Sequence, residues 1–274
     1  MNFVQANGAK IPAIGLGTMT LMDAVCVEAV ETALRLGYRH IDTAERYRNE
    51  SEVGEGLRRG LRAAGLARED VFVTTKVWYD QLATLDFQRS LDQSLKKLEL
   101  SWVDLLLVHW PNPSVPLKET LDALCKAKRG GRTKHIGVAN FTTSLLQDAV
   151  KLASEPLVAN QIEVHPFIDQ DKVLAACRKY GLAVTAYCPL ARGKVPENEL
   201  LARTGKAHGK TAALRYLVQQ GITPIPRTAK PDHLAANLTV FDFKLSDAAM
   251  TEIACLKQTH LRVVDPPHAP QWDD

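Results

Sequence analysis

Short apolar runs alternate along this chain with longer stretches whose apolar residues recur at helix spacing. Eight runs read as strands: Ile14–Thr18, Tyr38–Asp42, Val71–Lys76, Val103–His109, His135–Asn140, Leu157–Glu163, Ala183–Tyr187 and Thr223–Pro226. Over Ala24–Leu36, the residues Val27, Val30, Ala33 and Leu34 share one helix face; over Asp86–Leu98, Leu91, Leu95 and Leu98 do the same. Thr142 or Thr143 offers an N-cap to a fifth helix, and Gly181 stands just past the end of a sixth. Strand followed by helix, repeated, predicts a parallel sheet, because parallel neighbours need crossover connections. Eight such units fit a single closed (β/α)8 TIM barrel over residues 1–274 better than an open sheet. Phe3–Gln5 and Lys10–Ala13 flank Ala6-Asn7-Gly8, which predicts a β-hairpin capping the barrel bottom. The segment Pro266–Pro270 cannot be helical and is expected to be an extended surface segment.

An open dinucleotide-binding sheet would need a glycine-rich phosphate turn, and no GxGxxG is present. Gly15-Leu16-Gly17 lacks the third glycine, and Gly54-Glu55-Gly56 lies inside a helical pattern.

Composition narrows the picture. The 274 residues carry 34 Lys+Arg against 31 Asp+Glu, a net charge of +3 that gives no nucleic-acid footprint. The longest strongly apolar stretch, Val103–Trp110, contains Asp104 and His109 and falls far short of the ~20 residues of a membrane span. The opening MNFVQANGAK has no apolar signal core, and the five cysteines are odd in number, widely spaced and without CxxC. These features predict reduced thiols, a cytoplasmic protein and no membrane partner. The helix surfaces show no large apolar stripe beyond the needs of a core, so a monomer is the default expectation.

The informative feature is where polar groups fall. Strand residues alternate between the barrel interior and the helix side, so Tyr38, His40 and Asp42 should share a face, as should Phe72, Thr74 and Lys76, then Val103, Leu105, Leu107 and His109, then Ala183, Thr185 and Tyr187. Each face ends in a polar group at the carboxyl end, where active sites of such barrels lie. Asp42, Lys76 and His109 should therefore enter one mouth, with Asn140, Gln161 and Tyr187 around them. Tyr47 follows five residues after Asp42. A neighbouring Lys76 ammonium, held by Asp42, would lower the phenol's pKa from ~10 and make it a proton donor, with His109 orienting a substrate oxygen. His165, before Pro166, is read as structural.

At these residues the chain resembles the aldo-keto reductases, and among them the prokaryotic 2,5-diketo-D-gluconate reductase-like members. The resemblance rests on GLGT (Gly15–Thr18), GYRHIDTAERYRNE (Gly37–Glu50), VTTKVW (Val73–Trp78), DLLLVHWP (Asp104–Pro111), IGVANF (Ile136–Phe141), NQIEVHPF (Asn160–Phe167), AYCPLARG (Ala186–Gly193) and IPRTAKPDHLAANL (Ile225–Leu238). It implies a TIM barrel that reduces aldehydes, α-dicarbonyls, keto sugars or keto acids with NADP(H) and no metal. The tetrad it implies is Asp42, Tyr47, Lys76 and His109. The implied cofactor residues are Gly17, Thr18, Asp42, Asn140, Gln161, Tyr187, Pro189, Leu190, Arg192, Pro226, Arg227, Thr228, His233 and Asn237. Asn140 and Gln161 would hold the carboxamide, and Tyr187 would stack on the nicotinamide. Met19, Tyr47, Trp78, His109 and Trp110 would line the substrate pocket.

Three departures from the family pattern matter. Ala139 replaces a serine that bonds the carboxamide, and Met19 replaces a pocket tryptophan. His233 and Ala236 replace an arginine and a glutamate at the adenosine phosphate. A neutral imidazole grips phosphate less firmly than a guanidinium, so NADPH is expected with NAD(H) as a second cofactor. Two rival readings are a metal-dependent barrel hydrolase using His109, Asp42 and His165, and a non-catalytic nicotinamide-binding subunit. The first lacks HxH or HExxH and has Lys76 to repel a cation; the second would have no need of the tetrad.

Overall fold

The computed structural model describes residues 2–208 and 211–273. A hairpin of β1 (Phe3–Ala6) and β2 (Ala9–Pro12) precedes the barrel, turned by Asn7 and Gly8, whose φ angles of 42° and 88° suit the left-handed pair that Asn-Gly provides. The barrel strands are β3 (Leu16–Gly17), β4 (His40–Asp42), β5 (Phe72–Val77), β6 (Val103–Val108), β7 (Thr133–Ala139), β8 (Leu157–Glu163), β9 (Ala183–Tyr187) and β10 (Thr223–Pro224). They pair in parallel in chain order. Backbone bonds from Gly15 N to Pro224 O (3.0 Å) and from Gly17 N to Pro226 O (3.2 Å) join the first strand to the last. The predicted (β/α)8 architecture with its hairpin is thus what the chain forms, and every predicted strand exists: Leu157–Glu163 and Ala183–Tyr187 match as predicted, and the others differ by one to three residues in total.

Helices cover the outside: α1 (Asp23–Leu36), α2 (Glu50–Ala64), α3 (Thr84–Leu98), α4 (Leu117–Arg129), α5 (Thr143–Leu152) and α6 (Asp171–Lys179), then α7 (Lys194–Glu197), α8 (Glu199–His208), α9 (Ala212–Gln219), α10 (Pro231–Leu238) and α11 (Asp247–Cys255). Thr142 caps α5 by accepting from Leu145 N, and Gly181 takes a φ of 69° beyond α6. Gly54, Gly56 and Gly60 lie in α2. A Cβ at Gly56 or Gly60 would come within 2.7 Å of α1 side chains, so they serve close helix packing and not phosphate binding.

Two buried layers follow from strand alternation. Ile41, Val73, Val77, Leu106, Val108, Ile136 and Val138 pack outward against the helices. Phe72, Leu105, Leu107, Val158, Ala159 and Ala183 fill the interior together with Ala6, Ala9 and Ile11 of the hairpin, which plugs the bottom. Tyr38 departs from expectation. It precedes the first paired residue of β4, packs with the helix-side layer and donates to Leu234 O of α10 at 3.2 Å, instead of sharing the face of His40 and Asp42. At the seam, a Cβ on Gly17 would lie 2.7 Å from Ile225 O, where only glycine lets the backbones approach. Gly17→Ala should lower the urea midpoint, a cost of about 1–3 kcal/mol for the enforced shift.

The segment Pro266–Pro270 is non-helical and partly exposed, as expected, and the tail that contains it is tied down as a strap across the carboxyl end of the barrel. Both oxygens of buried Glu163 accept from tail amides, Val263 N at 2.7 Å and Val264 N at 2.8 Å. Asp273 accepts from Thr143 N and Thr143 Oγ1 at the start of α5, at 2.8 and 2.6 Å. Buried carboxylates need such donors, and here the chain end supplies them.

Among the described residues no helix is long and apolar enough to cross a membrane. Cys26, Cys125 and Cys177 are buried, Cys188 is half-buried and Cys255 exposed, all as free thiols.

Candidate active site

The carboxyl ends of β4, β5 and β6 bring Asp42, Lys76 and His109 into one mouth. Lys76 is fully buried, at 0% exposure, and Asp42 is at 1%. The ammonium donates to Asp42 Oδ1 at 2.6 Å and to Thr43 O at 2.7 Å, and reaches Tyr47 OH at 3.5 Å. The other carboxylate oxygen, Asp42 Oδ2, accepts from Gln161 Nε2 at 2.7 Å. A buried charge survives when paired and hydrogen-bonded, and each oxygen of Asp42 has its donor. Burial, its largest influence, pulls the Lys76 pKa below 10.5, while Asp42 works against that fall.

Tyr47 stands on a 3-10 turn, Glu45–Tyr47, between β4 and α2. Asn49 fixes that turn: its Nδ2 donates to Thr18 O and Leu21 O at 2.8 Å each, and its Oδ1 accepts from Thr43 Oγ1 at 3.2 Å. Arg48, at φ 58°, closes the turn in a left-handed conformation. The Tyr47 hydroxyl hydrogen meets no acceptor among the described residues. Here a sequence expectation reverses. Burial first, and the Asp42 charge second, hold the phenol well above 10. The ammonium is bonded to Asp42 and Thr43 and reaches the hydroxyl only at 3.5 Å, so its pull on the phenol's pKa is outweighed by burial and the net shift is upward.

His109 follows β6. Its ring meets Tyr47 edge-on at 5.7 Å and Trp78 edge-on at 4.9 Å. Its Nδ1 is buried without a hydrogen-bond partner. Burial, then Lys76, then His268 and Arg46 push its pKa well below 6.5, so the imidazole is neutral. Its backbone is pinned by Val77 O at 3.0 Å and by Asn140 Nδ2 at 2.9 Å.

Asn140, at φ 62° after β7, accepts from Tyr187 OH at 2.7 Å. Gln161 has no donor on its Oε1 among the described residues. Thr18 Oγ1 donates to Asp42 O at 3.0 Å beside Gly17, tying β3 to β4. Pro189 is buried, Leu190 half-buried and Arg192 exposed on the turn after β9. Past β10, Pro226 is buried, Arg227 is exposed, and Thr228 Oγ1 accepts from Lys230 N at 3.1 Å before α10. His233 is exposed on α10. Asn237 is buried on α10, which packs against α1. Met19 is 47% exposed at the rim, Trp78 is half-buried and Trp110 buried. His165 Nε2 donates to Glu163 Oε1 at 2.9 Å while its Nδ1 accepts from Phe167 N at 3.3 Å, a structural place beneath the strap, as read from sequence.

The sequence reading missed several residues that shape the mouth. Thr43 and Asn49 position Tyr47, and Tyr79, His268 and Trp272 build the outer wall. His268 stacks on Tyr79 at 4.4 Å and meets Trp78 and Trp110 edge-on at 5.3 and 5.1 Å; Trp272 meets Trp110 at 5.9 Å. The only sequence signal was a histidine and a tryptophan in an otherwise polar, proline-rich tail.

The assembly offers a hydroxyl proton donor, a fixed ammonium and a neutral imidazole around one cavity mouth. Among the described residues no three His, Cys, Asp or Glu side chains gather as a metal cluster. The model of the Aldo/keto reductase family matches residues 13–257. A curated relative, methylglyoxal reductase DkgB of Escherichia coli O157:H7, is 38% identical over 270 residues, covering 96% of this chain and 99% of its own. A crystal structure of a protein provisionally named 2,5-diketo-D-gluconic acid reductase B superposes with a TM-score of 0.96 at 43% identity, over 100% of this chain and 98% of that one. The Bombyx mori aldo-keto reductase AKR2E4, solved in complex with NADP, superposes at 0.89 with 33% identity, over 96% and 94% of the two chains. With the family model spanning residues 13–257 and nearly its whole length covered by these relatives, the chain belongs to the aldo/keto reductase family and is an oxidoreductase.

Proposed function

We propose that this chain reduces the carbonyl of small aldehydes, α-dicarbonyls, keto sugars or keto acids to an alcohol, with NADPH as the preferred reductant and NADH as a second. The observation that carries the reading is a Tyr47 hydroxyl with no acceptor of its own, 3.5 Å from an ammonium anchored on Asp42.

The residues present suit a nicotinamide dinucleotide. Gln161 Oε1 lacks a donor and Asn140 presents an amide beside it, which fits a carboxamide. The Tyr187 ring, at the end of β9 and bonded to Asn140, offers a face for the pyridine ring. Pro189, Leu190 and Arg192 follow as a wall, with Gly17, Thr18 and Pro226 at the seam opposite. Arg227 makes no ion pair among the described residues, and with Thr228 and His233 it supplies charge and hydrogen bonds for an adenosine phosphate. Ala139 provides no hydroxyl to the carboxamide. Asn237, buried on α10 one turn after His233, would complete the adenosine end. When bound, the reduced nicotinamide supplies a hydride to the carbonyl carbon.

The chain's own residues do the rest. Tyr47 gives its proton to the carbonyl oxygen, and His109, neutral, donates a hydrogen bond to the same oxygen and orients it. As the proton leaves, negative charge develops on Tyr47 Oη, and the Lys76 ammonium stabilises it from its anchored position. The high resting pKa of the phenol keeps it protonated until substrate arrives. Met19, Trp78 and Trp110 give the pocket an apolar wall. Asp42 is already paired with the buried Lys76 ammonium, and that adjacent fixed cation would repel a divalent ion, which favours this reading over a barrel hydrolase. The free thiols suit a reducing, cytoplasmic setting, and the chain is proposed to act as a monomer on a small molecule.

Steady-state kinetics with methylglyoxal, a keto sugar acid and an aromatic aldehyde test the proposal, with both reductants. NADPH should give the higher kcat/KM, with NADH measurable; equal or higher kcat/KM with NADH would overturn the preference. His233→Arg should tighten NADPH binding selectively, by about tenfold for one added charge-assisted bond. No change in NADPH affinity would place residue 233 away from the phosphate.

A further inference from the structure

The mechanism above leaves one buried carboxylate without a task. Glu50 opens α2 three residues after Tyr47 and is 1% exposed. Its Oε1 accepts from Thr75 Oγ1 of β5 at 2.7 Å, while its Oε2 is buried with no hydrogen-bond partner. No cation forms an ion pair with it among the described residues; Lys97 of α3 acts on it only from an exposed position. A buried carboxylate in that state is costly unless a cation lies near it in the same dry interior. Thr75 is followed on β5 by the fully buried Lys76, and the Glu50 charge acts on Lys76 in the sense that favours the ammonium. Successive strand residues point to opposite faces, so Glu50 meets β5 from the helix side and Lys76 leaves it toward the mouth. The two charges act on each other across one strand, where a dielectric well below that of water lets the attraction persist without contact.

We propose that Glu50 is a positioning residue for the proton transfer, a rear carboxylate that holds Lys76 as an ammonium through β5. The inference rests on the carbonyl-reductase reading above and deepens its account of Lys76. The groups around Lys76 are Asp42 in contact, the Tyr47 hydroxyl, His40 of β4, His109 and Glu50. The phenol and both imidazoles are neutral, so Asp42 and Glu50 supply the negative charge. Around Glu50, burial is the largest influence and opposes its charge, as does Glu45 of the Tyr47 turn, while Thr75, Ser94 and Lys97 favour it. The position behind the strand matters. Asp42 lies in the mouth and acts on the phenol as well as on the ammonium, whereas Glu50 acts on Lys76 and not on Tyr47. It therefore favours the ammonium with little repulsion of a forming phenolate.

The test uses the full-length protein, NADPH and methylglyoxal, with the single-turnover rate followed from about pH 7 to about pH 10. Glu50→Gln keeps the oxygen that Thr75 bonds and removes the charge. Its rate near neutrality should lie within about twofold of wild type, and its alkaline decline should begin about one pH unit lower. Thr75→Val breaks the hydrogen bond and keeps the charge, so it should lower the urea midpoint and leave the decline where wild type has it. Coincident declines in wild type and Glu50→Gln would overturn the proposal. So would an equal displacement in Thr75→Val, since that marks a role in seating α2 on β5 only. The urea midpoint decides the point without turnover. Glu50→Gln should favour the Lys76→Met protein more than it favours wild type, because there it removes a carboxylate whose cation is gone. An equal change in the two backgrounds would overturn the proposal, and a Glu50→Gln protein too unstable for kinetics still reports through this comparison. If no carbonyl is reduced, or the wild type shows no alkaline decline, the underlying reading falls; if the wild-type decline is present and Glu50→Gln leaves it in place, the rear carboxylate alone falls.

Discussion

Tyr47→Phe should abolish carbonyl reduction, with kcat lower by about 10³-fold or more, while NADPH still quenches protein fluorescence at close to the wild-type concentration. The substitution removes one oxygen atom and leaves the ring against His109 at 5.7 Å. General-acid catalysis contributes typically ~10²–10⁴-fold, and no second hydroxyl in the mouth can take over. Tyr187 OH is committed to Asn140 Oδ1 at 2.7 Å, and His109 is neutral, without a readily released proton. Because the hydroxyl makes only the long contact from Lys76, its loss should cost the fold little. Retained turnover would mean that water or His109 protonates the oxygen. Lost cofactor binding would mean that the ring, not the proton, is what the site needs.

Lys76→Met should damage both stability and chemistry. The ammonium satisfies Asp42 Oδ1 and Thr43 O, with neither exposed to water. Removing one partner of a buried pair leaves the other charge uncompensated, at a cost of about 3–5 kcal/mol. That should lower the urea midpoint visibly in a chain of this size, and Asp42→Asn in the same background should recover part of it by removing the stranded carboxylate. The rate should fall by about 10²–10³-fold, the usual loss when a preorganised charge opposite a developing anion is removed. A Lys76→Met protein with wild-type stability would show that the pair is not buried as described; one with wild-type kcat would show that the phenolate needs no neighbouring cation.

The comparison of sequence and structure divides along physical lines. The mouth was legible because alternation is local: Asp42, Lys76 and His109 end inward faces whatever the rest of the chain does. The hairpin was legible because Asn7-Gly8 specifies its own turn. What failed depended on distant partners. Tyr38 was placed inward by counting back from Asp42, but it lies before the paired part of β4, and its hydroxyl belongs to α10 nearly two hundred residues away. The strap could not be foreseen, because it hangs on a carboxylate of β8 meeting two backbone amides a hundred residues later. The direction of the Tyr47 pKa was missed for a related reason. Spacing suggests a neighbouring cation, but only the packed structure shows that burial outweighs it and that Asp42 holds the ammonium away.

The pH dependence of the single-turnover rate tests the central claim most directly. The claim is that a neutral phenol, held protonated by burial, is the proton source, with a neutral imidazole beside it. Tyr47 lies well above 10 and so stays protonated as pH rises through neutrality; His109 lies well below 6.5 and so stays uncharged. The rate of carbonyl reduction should therefore be flat from about pH 6.5 to about pH 8. Its first decline should be alkaline, where Lys76, shifted below 10.5, gives up the charge that stabilises the phenolate. A rate that instead falls as pH rises through about 6.5 would assign the proton to an imidazolium at His109 and contradict the account.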